Sequence, residues 1–160
     1  MGLRSAIASM PDPYRVELRS LDGGPTAVAS SGAYSVIIDR PAAAGGRGLG
    51  FSGGQLLYAA IAGCYSNDLY REATTMGVAL TRVAITVDGD FPKRGEPSTP
   101  ITVDVDVEGD GDLLALVRLV DQVAEIPNSI RGTTPVELRE VRLTGPDGTE
   151  TSLHWRDEPG

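Results

Sequence analysis

The sequence predicts an α+β domain in which antiparallel sheets surround two helices, one of them long and central. Three observations carry that expectation. Runs that alternate apolar and polar residues with period two stand both before and after a proline-free segment, Gln55 to Met76. The first half of that segment is apolar on all sides, the pattern of a buried helix, and a later segment repeats apolar residues at helical spacing. Glycine and proline clusters separate these runs, as turns require.

Taken in order, residues 14–20 (Tyr-Arg-Val-Glu-Leu-Arg-Ser) alternate as a half-buried strand, and Asp22-Gly23-Gly24-Pro25 supplies a turn. Thr26 to Ser30 reads as the return strand. Tyr34 to Asp39 is a third strand, stopped by Pro41, and the three make a meander. Residues 42–54 hold six glycines and form a loop whose backbone can approach a neighbour closely. The helix follows: Leu56, Leu57, Ala59, Ala60, Ile61, Ala62 and Cys64 fill its apolar half, Asn67 to Glu72 turn amphipathic, and Gly77 is the stop. Arg82 to Val87 and Ile101 to Val107 are β-branched, alternating strands on either side of a charged loop, Pro92 to Pro100. Asp112 to Ile126 places Leu113, Leu116, Val117 and Val120 on one helical face, ending at Pro127. Pro135 to Leu143 is a final strand, and Gly145 to Gly160 is expected to be a loose polar tail. The reading is one domain, residues 1–160, with its core at about 14–144 and no repeat or linker.

Composition removes several functions. The chain has 160 residues, 14 Lys+Arg against 22 Asp+Glu and a net charge of −8. An acidic balance disfavours nucleic acid and anionic membrane surfaces, which need clustered cations. One cysteine, Cys64, rules out an internal disulfide framework or a zinc site built on cysteine pairs. One histidine, His154, rules out a site needing two imidazoles from one chain. Residues 1–12 lack the apolar core of an export signal, and Ala6 breaks the myristoylation pattern. Leu56 to Cys64 is about half the length that a bilayer crossing needs. A cytoplasmic protein with a reduced thiol is expected, with no cofactor and no metal.

Cys64 is thus the one soft nucleophile. On helical spacing alone, a cysteine in a buried helix packs as a small hydrophobe. Asp68 lies one turn on, on the same face, where a carboxylate raises a thiol pKa, and Arg71 is placed to pair with Asp68. An activated thiolate therefore needs an arginine from elsewhere; Arg40 and Arg47 flank the glycine-rich loop, and Arg19 sits on the first strand. The run Gly45-Gly46-Arg47-Gly48-Leu49-Gly50 lacks the Gly-Lys-Ser/Thr of a phosphate loop. His154 beside Trp155 reads as a surface pair, and Asp104 with Asp106 as a solvated strand face.

Gly45-Gly46, followed by Ser52-Gly53-Gly54-Gln55-Leu56-Leu57-Tyr58-Ala59-Ala60-Ile61-Ala62-Gly63-Cys64, resembles the signature of the OsmC/Ohr superfamily, the osmotically inducible and organic hydroperoxide resistance proteins. Ala124 to Gly132, with Pro127, Ser129, Arg131 and Gly132, resembles its second motif. The resemblance spans residues 14–144. It implies an intertwined homodimer whose long helices are buried between sheets. It also implies a thiolate that attacks the O–O bond of an organic hydroperoxide, with a second cysteine to resolve the product. Three positions depart from the pattern: the resolving cysteine is Ile126, the glutamate ten residues before Cys64 is Gly54, and the proline beside it is Gly53. No arginine aligns cleanly with the family's activating one. Two expectations follow. One is a one-cysteine thiol peroxidase with Cys64 as the attacking thiol, Arg40 or Arg47 as its thiolate partner, and an external thiol as reductant. The other is a non-peroxidatic dimer that binds an apolar ligand or serves in a stress response.

Overall fold

A computed structural model describes residues 14–157. The expectation that residues 1–12 carry no export or acylation signal falls outside them. The chain forms two compact units, Met1–Gly53 and Gly54–Gly160.

The first unit holds β1 (Glu17–Ser20), β2 (Ala27–Ser31) and β3 (Tyr34–Ile38). They pair antiparallel in the order β1-β2-β3, the expected meander, with Ala27 and Ala29 buried. The glycine-rich loop that follows is organised around Asp39, which is only 2% exposed. Its carboxylate accepts the backbone N–H groups of Arg40 (2.7 Å), Arg47 (3.1 Å) and Leu49 (3.2 Å) and the hydroxyl of Thr26 (3.2 Å). The glycines allow the loop to close this tightly: a Cβ on Gly46 would stand 2.0 Å from the carbonyl oxygen of Arg40.

The second unit is a helix-packed sheet. Helix α1 (Gly53–Met76) starts at the unit boundary and buries one stripe, Ile61, Tyr65, Asp68, Leu69 and Ala73. Its end is the predicted one: Gly77 takes φ +70° and the N–H of Val78 returns to the carbonyl of Ala73 at 2.9 Å. Strands β4 (Ala79–Asp88), β5 (Ile101–Asp110), β6 (Val136–Thr144) and β7 (Glu150–His154) form one sheet in that order. Ile101, Val103, Val105 and Val107 of β5 and Leu138 and Val141 of β6 are buried in one core cluster with the apolar residues of that stripe and with Leu113, Leu116, Val117 and Val120. Each large apolar side chain so buried contributes about 1.5–3 kcal/mol. The other face of the sheet carries ion pairs. Asp106 meets Arg82 at 2.6 Å and Arg142 at 3.4 Å, and Arg139 bridges Asp104 and Asp88.

Three sequence expectations are corrected. The helix expected from Asp112 to Ile126 is two helices, α2 (Leu113–Val123) and α3 (Glu125–Ile130). Asp112 caps α2 by accepting the N–H of Ala115 at 2.9 Å, and Ala124 breaks the run with ψ 112°. Pro127 is the cause. Inside a continuous helix it would lack its N–H and crowd the carbonyl four residues back, whereas the break at Ala124 places it in the first turn of α3. Second, the sheet is mixed: β5 and β6 are parallel, because α2 and α3 form a crossover between them, while β4–β5 and β6–β7 are antiparallel. Third, the expected loose tail contains β7 and a 3-10 turn at Trp155–Asp157. His154 pairs with Glu140 across β6 and β7, its Nδ1 2.6 Å from the carboxylate. No helix among the described residues is long and apolar enough to cross a membrane.

Candidate functional site

Cys64 lies near the middle of α1 and is partly buried. Helical spacing sets its first neighbour. Asp68, four residues on, turns its carboxylate to the thiol, with Sγ to Oδ2 at 3.7 Å. The second neighbour comes from the corner between α2 and α3. There Glu125, 61 residues away in sequence, brings Oε2 to 3.9 Å from Sγ. The corner also turns its backbone toward the thiol, where the amides of Ile126 and Glu125 favour the thiolate. Such N–H groups are free to do so because the first turn of a helix has no internal acceptor for them.

These contacts oppose one another. Burial pushes the Cys64 thiol up; the N–H of Ile126 pulls it down; the charges of Asp68 and Glu125 push it up again. The result is a thiol above its ordinary pKa. Asp68, only 3% exposed, is itself raised by burial, against the pull of the Arg71 guanidinium 2.9 Å away. Arg71 divides its charge between Asp68 and Glu72, the latter also at 2.9 Å. The ion pair between Asp68 and Arg71 is the one their spacing predicts. Sγ and one carboxylate oxygen each of Asp68 and Glu125 lie within 4.8 Å of one another, close enough to share a divalent cation, while Arg71 pairs with the other Asp68 oxygen, Oδ1.

The predicted thiolate partners, Arg40 and Arg47, belong to the first unit. Both give their backbone N–H to Asp39, and the Arg47 guanidinium stands 3.8 Å from Asp22. Gly54, where the resembled pattern has glutamate, packs under an aromatic ring: a Cβ there would meet Phe91 at 2.9 Å. Phe91 is fixed by stacking on Tyr58, centroids 6.0 Å apart, and the Tyr58 hydroxyl bonds Ser98 at 2.9 Å. Ile126, where that pattern has the second cysteine, follows Glu125 at the corner that faces the sulfur. Sequence reasoning missed Glu125, although it is the neighbour of that aligned position.

A family model described as OsmC-like protein matches residues 45–139, more than half of the chain. No curated protein sequence matches it. Solved structures do. An OsmC-like protein from Mycoplasma pneumoniae superposes with a TM-score of 0.69 at 16% identity, covering 85% of this chain and 99% of its own. An organic hydroperoxide resistance protein OsmC from Legionella pneumophila gives 0.58 at 21%, with coverage of 78% and 95%. The organic hydroperoxide resistance protein OhrB of Bacillus subtilis gives 0.54 at 22%, with coverage of 78% and 94%. At such identities the likeness is one of fold. With the family match, these findings establish that the chain belongs to the OsmC-like family.

Proposed function

We propose that the protein is a one-cysteine, thiol-dependent reductase of organic hydroperoxides with Cys64 as its reacting sulfur. One observation carries this reading: the partly buried Cys64 sulfur lies 3.9 Å from Oε2 of Glu125, the residue next to Ile126, so the attacking position of the family pattern still faces the corner that holds its resolving position, although the second thiol is gone. The sulfur, once deprotonated, attacks the terminal oxygen of the hydroperoxide. The O–O bond breaks, an S–O bond forms, sulfur loses two electrons, and the alkoxide takes a proton. Asp68, raised and 3.7 Å away, is the group that takes the thiol proton and returns it to the alkoxide. One external thiol then forms a mixed disulfide with release of water, and a second restores Cys64 and leaves as the disulfide.

The alternative is a non-peroxidatic dimer binding an apolar ligand, and one observation favours it: two carboxylates face the thiol and hold it protonated. Both readings place the protein in a reducing cytoplasm and as a homodimer. In the single chain Ala59, Ala60 and Tyr70 of α1 stand exposed, apolar surface that a second copy would cover. Cumene hydroperoxide consumption with excess dihydrolipoamide separates the two. The reductase reading expects turnover that Cys64→Ser abolishes. Turnover unaffected by that substitution, or none in the natural chain, leaves the alternative.

A further inference from the structure

The α2–α3 corner reaches Cys64 only if something holds it there, and the holding group is Arg131. This residue closes α3, and all of its guanidinium N–H groups are used. Nε donates to the carbonyl of Val136 at 3.0 Å, where β6 begins. Nη1 donates to the carbonyl of Asp121 and to Oδ1 of Asn128, both at 2.8 Å. Nη2 donates to the Tyr65 hydroxyl at 3.0 Å and to Oδ1 of Asp121 at 2.5 Å. The Tyr65 hydroxyl donates in turn to the same Asp121 oxygen at 2.6 Å. Tyr65 is 1% exposed and follows Cys64 directly on α1. A planar fork with every donor engaged has one orientation, and a lysine cannot reproduce it.

We propose that Arg131 is a positioning residue for Cys64: it ties the end of α2, the length of α3 and the start of β6 to α1 beside the cysteine, so that Glu125 and Ile126 stay against the sulfur. Breaks at Ala124 and after Ile130 leave α3 a six-residue helix, too short to hold a fixed place by itself. Its place comes from Arg131 at one end and the buried Ala124 and Pro127 at the other. The inference rests on Cys64 being the reactive centre, but its effect is read on the thiol and not on turnover.

The test is a double-mutant cycle on Cys64 alkylation by iodoacetamide, followed from pH 6 to 11 with the full chain. The groups facing the sulfur are Asp68 and Glu125, with Arg71 behind Asp68. Glu125→Gln removes one raising charge and moves the alkylation midpoint down in the natural chain. With Arg131→Lys in place, that displacement should fall to half or less, because Glu125 no longer keeps its distance. Tyr65→Phe, which removes one of the five partners and leaves the ring in the core, should diminish it by a smaller margin. It also serves if the lysine variant does not fold. Equal displacement in the natural, Arg131→Lys and Tyr65→Phe backgrounds would overturn the proposal, leaving Arg131 a stabilising residue only. A chain without hydroperoxide turnover that still shows the coupling would remove the reductase reading and keep this one.

Discussion

Two buried aspartates on this chain have opposite fates, and the difference explains what each region is for. Asp39 and Asp68 are 2% and 3% exposed, and burial raises both. Around Asp39, the N–H groups of Leu49, Arg40 and Arg47 and the Thr26 hydroxyl outweigh burial and hold the carboxyl below its usual range. Around Asp68, the Arg71 guanidinium and the Cys64 thiol do not outweigh it, with Glu125 and Glu72 adding repulsion, and the carboxyl is raised. A carboxylate saturated by amides is a structural anchor. One left short of donors and beside a thiol can exchange a proton, as a reacting site requires.

The comparison breaks most visibly at the anchor. Asp39→Ala should release the amides of Arg40, Arg47 and Leu49, so that their hydrogen exchange accelerates by about tenfold or more while the α1 amides near Cys64 keep their protection. Unchanged exchange at those three positions would mean that the loop is held by something else. A smaller effect appears in urea melts across pH 3–8. The folded Asp39 value lies below the unfolded one, so its contribution is fully present above about pH 4 and is lost as pH falls through the folded value. Asp68 has the reverse sign. Its folded value is raised, so between about pH 4 and that value the folded state binds the extra proton, and stability falls as pH rises through the window. Asp39→Asn should therefore cost more stability at pH 7 than at pH 3, while Asp68→Asn should cost none at pH 7. Parallel profiles for the two variants would contradict the contrast.

The smallest effects are at the thiol. Asp68→Asn removes the nearer, buried charge, and Cys64 alkylation at pH 7 should rise by about threefold or more. Glu125→Gln should raise it less, about twofold, since Glu125 is exposed and its charge is screened by solvent. Adding 1 M salt should erase much of the Glu125 effect and little of the Asp68 effect. A larger response to Glu125 than to Asp68 would reverse the assignment of which carboxylate governs the sulfur.

What the sequence disclosed about this site follows from chain distance. Cys64, Asp68 and Arg71 lie within two turns of one helix, so their contacts are implied by spacing. Glu125 reaches the sulfur only through the corner at Ala124, and that corner was hidden by reading Pro127 as a helix end. A proline marks a break but not its side: here it opens α3 after the chain has already turned. Strand β7 was hidden for another reason. Glu150-Thr-Ser-Leu-His has one large apolar residue, and it becomes a strand because β6 offers an edge to pair with. The meander, α1 and the two long strands carried enough local pattern to be read directly.

Burial, Asp68 and Glu125 hold Cys64 above its ordinary pKa, and the proposed reductase makes this the sulfur that reduces hydroperoxide. Its most direct test is to measure, on one preparation, the pH dependence of cumene hydroperoxide turnover and of Cys64 alkylation. Both should rise together toward alkaline pH with one midpoint, above the ordinary ~8.5 of a free thiol. Asp68→Asn should carry both midpoints downward. A turnover that is flat across the alkylation midpoint, or that persists in Cys64→Ser, would contradict it.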